Sequence, residues 1–371
     1  MKKHTLKHTL LAGLAALLLA PLAALQATEV TNLRCEYREN PLGIDVEKPR
    51  LSWKLETGNL IPERGNRQTA YQILAASSEA LLKKDQGDLW DSGKVVSEQS
   101  VLVEYIGKPQ GSWQQCHWKV KVWDMDGKAS GWSQPSAWTM GLLEANAWQA
   151  KWIGAATKEH ESLLLRRDFT VKSGLRRAVV AVCGLGHYEL TINGKKVSED
   201  VLTPGWTKYN KTCLYDMYDV TEFLRPANNA LGLFLGNGMY NVKGGRCKKW
   251  EGSFGPLKAI AQLRLEFADG TSEIVATDGQ WRVHAGPVTF SHVYGGEDYD
   301  ARLDQAGWNK PGFSDAKWEP AVVTQGPGGA LKGLSCAAPS VRGFDTLKQV
   351  MTTAIRPGVT LYDLGPMPFG N

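Results

Sequence analysis

The stretch that most constrains this chain covers residues 184–240 and reads GLGHYELTINGKKVSEDVLTPGWTKYNKTCLYDMYDVTEFLRPANNALGLFLGNGMY. Tyr188, Leu190 and Ile192 alternate with Glu189 and Thr191, a period of two that buries one face of a strand and wets the other. Asn193-Gly194 then supplies a residue pair that tolerates the left-handed backbone of a tight hairpin turn. Thr203-Pro204-Gly205-Trp206 breaks the chain, Tyr215-Asp216-Met217-Tyr218-Asp219-Val220 resumes as a strand, and Asn228-Asn229 turns into the apolar run 230–235. Short strands closed by polar turns need a second sheet to bury their apolar faces, so this region predicts an antiparallel sandwich.

The same pattern extends in both directions. Upstream, Arg50 to Leu55, Ala70 to Ala75 and His117 to Trp123 alternate with period two, and the turns between strands carry Asp91-Ser92-Gly93 and Asp124-Met125-Asp126-Gly127. Downstream, residues 259–267 and 271–276 form a hairpin about Asp269-Gly270, with Ala261, Leu263, Leu265 and Phe267 on one face. No internal repeat is present. With 371 residues, 39 Gly, 17 Pro and 14 Trp, the chain suits two or three β-domains with real cores. Composition shifts place boundaries near Asn146 and at Gln325-Gly326-Pro327-Gly328-Gly329.

Charge and cysteine usage exclude several classes. The 43 basic and 38 acidic residues are interspersed, leaving a formal net charge of +5 and no basic patch interleaved with aromatics, so a nucleic-acid partner is not expected. Met1-Lys2-Lys3-His4 and Lys7-His8 precede the apolar run 9–25, and Gln26-Ala27 offers a cleavage site. Residues 1–27 therefore read as a signal peptide, the mature chain as beginning near Thr28, and the protein as secreted to the periplasm with no membrane association after cleavage. Cysteines 35, 116, 183, 213, 247 and 336 contain no C-x-x-C pair, which argues against zinc and for buried thiols.

Read in order, the Asn-Gly turn, the PGWT-Y segment (204–209), YDVT (218–221) and LGNGMY (235–240) resemble the N-terminal β-domain of large bacterial α-L-rhamnosidases of the inverting glycoside hydrolase type. The YGGE-x-YDAR segment (294–302) belongs to the same resemblance. PRLSW (49–53), WDSG (90–93) and GWSQPSAWTMGLL (131–143) resemble the fibronectin type III-like domain that leads many of these enzymes. The implied fold is all-β: a fibronectin type III-like sandwich at 28–146, a jelly-roll domain resembling a carbohydrate-binding module at 147–325, and the opening of a third β-domain at 326–371. There YDLG (362–365) is followed by Pro366-Met367-Pro368-Phe369-Gly370-Asn371, where the family continues with a Gln-Asn pair. The chain therefore reads as truncated before the family's catalytic α/α barrel.

Candidate chemistry follows from these placements. Inverting hydrolysis requires two carboxyl groups about 6.5 to 9.5 Å apart. The densest acids here are Glu297, Asp298, Asp300 and Asp304, and Glu199-Asp200. Asp300 and Arg302, two apart, are expected on one strand face paired with structural neighbours, and no catalytic residue is assigned. No G-x-S-x-G or H-E-x-x-H spacing occurs, and His187 reads as a strand residue at the sheet surface or rim.

A sugar site is the more credible function, because it needs polar planar side chains beside an aromatic ring. Glu199, Asp200, Trp206, Asn237, Tyr240, Arg246 and Trp250 are the candidates for a rhamnose-containing glycan. The resemblance implies calcium at Glu199 and Asp200, oxygen donors of the type calcium takes. Three also have a plain structural reading: Trp206 and Tyr240 as packing residues, Asn237-Gly238 as a turn. Lys243, Lys248 and Lys249 would help with an anionic glycan such as a uronate and are otherwise a solvated face. A free-standing carbohydrate-binding or accessory protein is the alternative to an enzyme's front end.

Overall fold

The computed structural model describes residues 28–57, 67–246, 248–333 and 340–366; the expected signal peptide, Cys247 and Cys336 lie outside the described residues. The first sandwich packs a three-stranded sheet, Thr28–Cys35, Arg50–Thr57 and Val103–Glu104, on a six-stranded one. The larger sheet runs in the order Leu42–Ile44, Ser136–Met140, Gln115–Trp123, Ala70–Ala76 and Trp90–Asp91, with Val95–Val96 also on Ala70–Ala76. Cys116, Trp118, Val120 and Val122 on alternate positions of Gln115–Trp123 point inward to meet Leu51, Trp53, Ile73 and Trp138. Burying one such side chain is worth roughly 1.5 to 3 kcal/mol. The indole of Trp53 donates to Gln68 Oε1 at 2.9 Å, so its polar end is satisfied inside.

The second sandwich has two larger sheets. One runs Val322–Val323, Ile153–Gly154, Lys258–Phe267, Leu175–Leu185, Thr212–Asp219 and Ala330–Gly333, with Ser272–Ala276 on Lys258–Phe267. The other runs Lys195–Lys196, His187–Ile192, Ala227–Gly236, Ser162–Val171, Arg282–Ala285 and Glu319–Pro320. Asn193 and Gly194, at φ 55° and 81°, make the tight turn after His187–Ile192. Tyr188, Leu190 and Ile192 are buried between the sheets with Leu163, Leu233 and Leu263.

Thr212–Asp219 is buried on both faces. Cys213, Tyr215 and Met217 share one face, on which Tyr215 and Met217 meet the first domain at Gly141 and Gly43, in a cluster with Trp113 and Leu142. Asp216 and Tyr218 point the other way, toward Tyr188. The Tyr215 hydroxyl accepts the backbone N–H of Leu142 at 2.8 Å, which ties the two sandwiches together.

Two expectations change. Ala330–Gly333 runs parallel to Thr212–Tyr215 on the edge of the second sandwich, and Val341–Arg342 pairs with Asp200–Val201. Ala330–Gly333 and Val341–Arg342 therefore stay with the jelly roll, beyond the boundary expected after Gln325. Among the described residues, Met351–Arg356 and Val359–Asp363 form a separate hairpin. Second, Asp300 and Arg302 are not strand neighbours. Asp300 caps the short 3-10 turn Ala301–Leu303, and its carboxylate binds Arg302 locally, with Nε at 2.8 Å.

Candidate functional site: an aromatic rim on the second sandwich

The rim is built from the chain after Ala227–Gly236 and the hairpin Val288–His292 with Gly296–Tyr299. Asn237 is fully buried at its root. Its amide donates to Glu161 Oε2 at 2.6 Å and to Ser291 O at 3.4 Å, and its carbonyl oxygen accepts from Asn241 Nδ2 at 2.9 Å. Its backbone carbonyl also accepts the N–H groups of Tyr240 and Asn241. Gly186 passes so close that a Cβ there would lie 1.9 Å from Asn237 O, which leaves no side chain but hydrogen. Asn237 thus holds the loop in place. Tyr240 is equally interior: its ring packs edge-on to Tyr209 at 5.2 Å, and its hydroxyl donates to Phe254 O at 3.1 Å.

Trp206 and Trp250 remain open. They are 60% and 40% exposed, with ring centroids 5.9 Å apart at 68°. Large exposed rings that touch each other rather than a core are the usual material of a binding surface. Arg246 lies over the Phe290 ring at 4.3 Å and grips both oxygens of Asp298, with Nη1 to Oδ1 at 2.8 Å. That pair holds the Asp298 carboxyl below the usual carboxylate range. Lys249 sits over Tyr294 at 4.7 Å, and Lys243 is held by Glu161 at 2.9 Å.

His292 fastens these parts. It is buried, its Nδ1 accepts the backbone N–H groups of Tyr294 and Gly295 at 3.0 Å each, and its Nε2 lies 3.2 Å from Trp250 O. An Nδ1 that accepts carries no hydrogen, so Nε2 is the donor to Trp250 O. Sequence reasoning missed Phe290, His292, Tyr294 and Asp298 as rim residues. The signal was present as a period-two run of aromatic and imidazole rings before Gly295-Gly296.

Glu199 and Asp200 stand apart from the tryptophan pair in their bonding. Asp200 Oδ1 accepts from Arg342 Nε at 2.6 Å, and its side chain is 9% exposed. Glu199 is exposed and adds to the negative field on Arg342. Behind them, Asp216 accepts the Tyr188 hydroxyl at 2.6 Å; burial pushes its carboxyl up to about 6. Among the described residues no group of three or more His, Cys, Asp or Glu side chains converges on a metal position. His187 begins its strand half-buried, and burial lowers its pKa. Of the acids weighed for hydrolysis, Asp298 is engaged by Arg246 and Asp300 by Arg302.

Two consecutive β-sandwiches, the second carrying an open aromatic rim, define a modular all-β chain. Residues 30–144 match the family described as Rha78A-like, N-terminal immunoglobulin domain, and residues 173–342 match the Alpha-L-rhamnosidase N-terminal domain. The chain carries the N-terminal β-domains of α-L-rhamnosidases. An α-L-rhamnosidase of Formosa agariphila is 34% identical over 313 residues, covering 76% of this chain and 32% of the relative. The α-L-rhamnosidase structure from Dictyoglumus thermophilum superimposes with a TM-score of 0.81 at 34% identity, over 92% of this chain and 39% of that one. The Streptomyces avermitilis α-L-rhamnosidase solved with L-rhamnose gives 0.81 at 26% identity, over 91% and 49%. The chain therefore spans about a third to a half of the length of these proteins.

Proposed function

We propose that this chain is the non-catalytic front of an exported α-L-rhamnosidase, which in complete form hydrolyses terminal α-L-rhamnosyl groups of plant or pectic glycans by inversion. Within it the second sandwich binds a rhamnose-containing glycan at the Trp206–Trp250 rim. One observation carries this reading: two large indoles stay exposed and in contact at a rim whose neighbouring polar groups are already paired. An indole face takes the C–H side of a sugar ring, and the adjacent loops offer donors and acceptors to its hydroxyls. Asp200 enters this proposal as a support for the 199–206 loop through Arg342 rather than as the first contact to sugar. Calcium remains an arm of the test: it takes about six to eight oxygens, more than Glu199 and Asp200 bring together.

Isothermal titration of the mature chain with L-rhamnose, in calcium and then in chelator, measures the proposal directly. The Trp206→Ala and Trp250→Ala variants should each lose at least about tenfold in affinity, with unfolding midpoints close to wild type because both side chains are exposed. Wild-type binding that survives both substitutions would move the site elsewhere; absence of binding in wild type would leave a scaffold.

A further inference from the structure

The two sandwiches leave between them a cleft of about 840 Å³, remote in sequence from the aromatic rim and lined by both domains. Its floor is one end of the sheet that carries Leu175–Leu185. Arg177 lies opposite Glu266, and Val179 lies between Arg264 and Asp219, so the alternating register puts Arg177, Arg264, Glu266 and Asp219 on one face. The facing wall is the first domain's strand Gln115–Trp123. There Cys116 and Trp118 enter the core, which leaves Gln115 and His117 toward the cleft.

Charges in this cleft are paired unevenly. Glu266 takes both Arg176, at 3.3 Å, and Arg264, at 3.1 Å. One carboxylate oxygen of Asp219 is engaged by the N–H and hydroxyl of Thr221. Arg177 is half-buried, and its guanidinium donates to a neutral partner, Thr139 Oγ1 across the seam at 2.7 Å; no ion pair to it is found among the described residues. His117 is also half-buried beside it, with no side-chain hydrogen bond among the described residues. Burial pulls both groups toward their neutral forms: for Arg177 the nearby Glu266 and Asp219 oppose it, while for His117 the Glu79 carboxylate opposes burial and Arg177 adds to it. Arg177 is thus half-buried on a neutral hydroxyl while Glu266 and Asp219 lie near it without forming an ion pair among the described residues, and a desolvated guanidinium so placed gains from an anion that meets it directly.

We propose that this seam is a second sugar subsite, specific for a monosaccharide unit bearing a single carboxylate, a uronate. The planar carboxylate meets the free edge of the Arg177 fork, and His117 donates alongside. Gln114 and Gln115 on the wall and Asp219 and Glu222 on the opposite lip face the ring hydroxyls. Those same acids repel densely charged polyanions, and the one aromatic lining the cleft, Trp113, is buried, so a neutral sugar finds no ring to stack on. Because Arg177 also holds Thr139 of the first domain, occupancy would brace the seam.

The test is a titration of the full chain with sodium D-galacturonate and sodium D-glucuronate, alongside L-rhamnose, galacturonic acid methyl ester, acetate and inorganic sulfate. Saturable uronate binding is expected, weakened at least about tenfold in Arg177→Met and by a few-fold in His117→Gln, and unchanged in Trp206→Ala. The methyl ester, which keeps the ring and loses the charge, should not bind. Equal binding of uronate, acetate and sulfate would overturn a sugar subsite in favour of a bare anion site, and uronate binding abolished by Trp206→Ala would return it to the rim. Should Arg177→Met not fold, the ester comparison in the wild-type chain and the His117→Gln variant decide the matter. Rhamnose binding at the rim is read in the same series, so either site fails without the other.

Discussion

The two ends of the second sandwich are built on opposite terms. At the seam with the first domain, packing leaves no room for a side chain: a Cβ on Gly141 would lie 2.3 Å from the Tyr215 hydroxyl, and one on Gly333 would lie 2.2 Å from Gly43 O. Tyr215 is fully buried there, and Trp148 packs edge-on to it at 5.2 Å. At the rim, Trp206, Trp250 and Tyr294 are exposed, and order comes from hydrogen bonds and ion pairs that fasten loop to hairpin. Close packing has no slack and transmits any change in volume. Polar fastening holds side chains in place while leaving their faces to solvent, which is what a ligand needs.

Substitutions at three positions sharpen that contrast. Gly141→Ala should have the largest effect, about 3 kcal/mol, because the added methyl must displace Tyr215 from the bond it accepts from Leu142. Urea unfolding of the full chain measures it, and an unchanged midpoint would show that the seam is loosely packed.

Asp216→Asn comes next, on the order of 2 kcal/mol, and its sign depends on pH. The Asp216 carboxyl is pushed up to about 6, chiefly by burial, with the Tyr188 hydroxyl opposing the shift. A carboxyl that holds its proton more tightly when folded stabilises the fold below its unfolded pKa, and that contribution is lost as pH rises toward 6. The Asn side chain never ionises and still accepts from Tyr188. Its advantage over wild type should therefore be small at pH 4, grow up to about pH 6, and then level off. A difference that stays flat across that range would count against an ionising group inside the sandwich.

The smallest effect belongs to the rim. His292→Asn keeps an acceptor where Nδ1 receives Tyr294 and Gly295, while His292→Gln keeps a donor directed at Trp250 O. Each should cost about 1 kcal/mol, and amide exchange tells them apart. The Gln variant should speed exchange at Tyr294 and Gly295, whereas the Asn variant should spare those amides and free the Trp250 loop. Identical exchange in the two would mean that His292 only fills space.

Legibility from sequence followed the same division. Alternation in Tyr188, Leu190 and Ile192 and the Asn193-Gly194 turn announced a strand and its hairpin, because pleat and turn are local properties. Trp206, Trp250 and Arg246 were named as rim candidates and lie exposed there. Asn237 and Tyr240 were named on the same grounds and prove to be interior, since an amide or a phenol looks alike in sequence whether it meets a ligand or a backbone carbonyl. Asp298, the partner of Arg246, was noticed only as part of an acidic cluster.

What the sequence determined by itself is therefore the class: period-two strands, polar turns and an ordered set of segments that identify α-L-rhamnosidase N-terminal domains. What only the tertiary structure decided is which face of each strand meets what. Thr212–Asp219 shows the reason. Its alternation promises one buried and one open face, yet the first domain covers Tyr215 and Met217 while the opposite sheet covers Asp216 and Tyr218. Burial of the second face depends on residues far away in the chain, and no local pattern encodes contacts of that range.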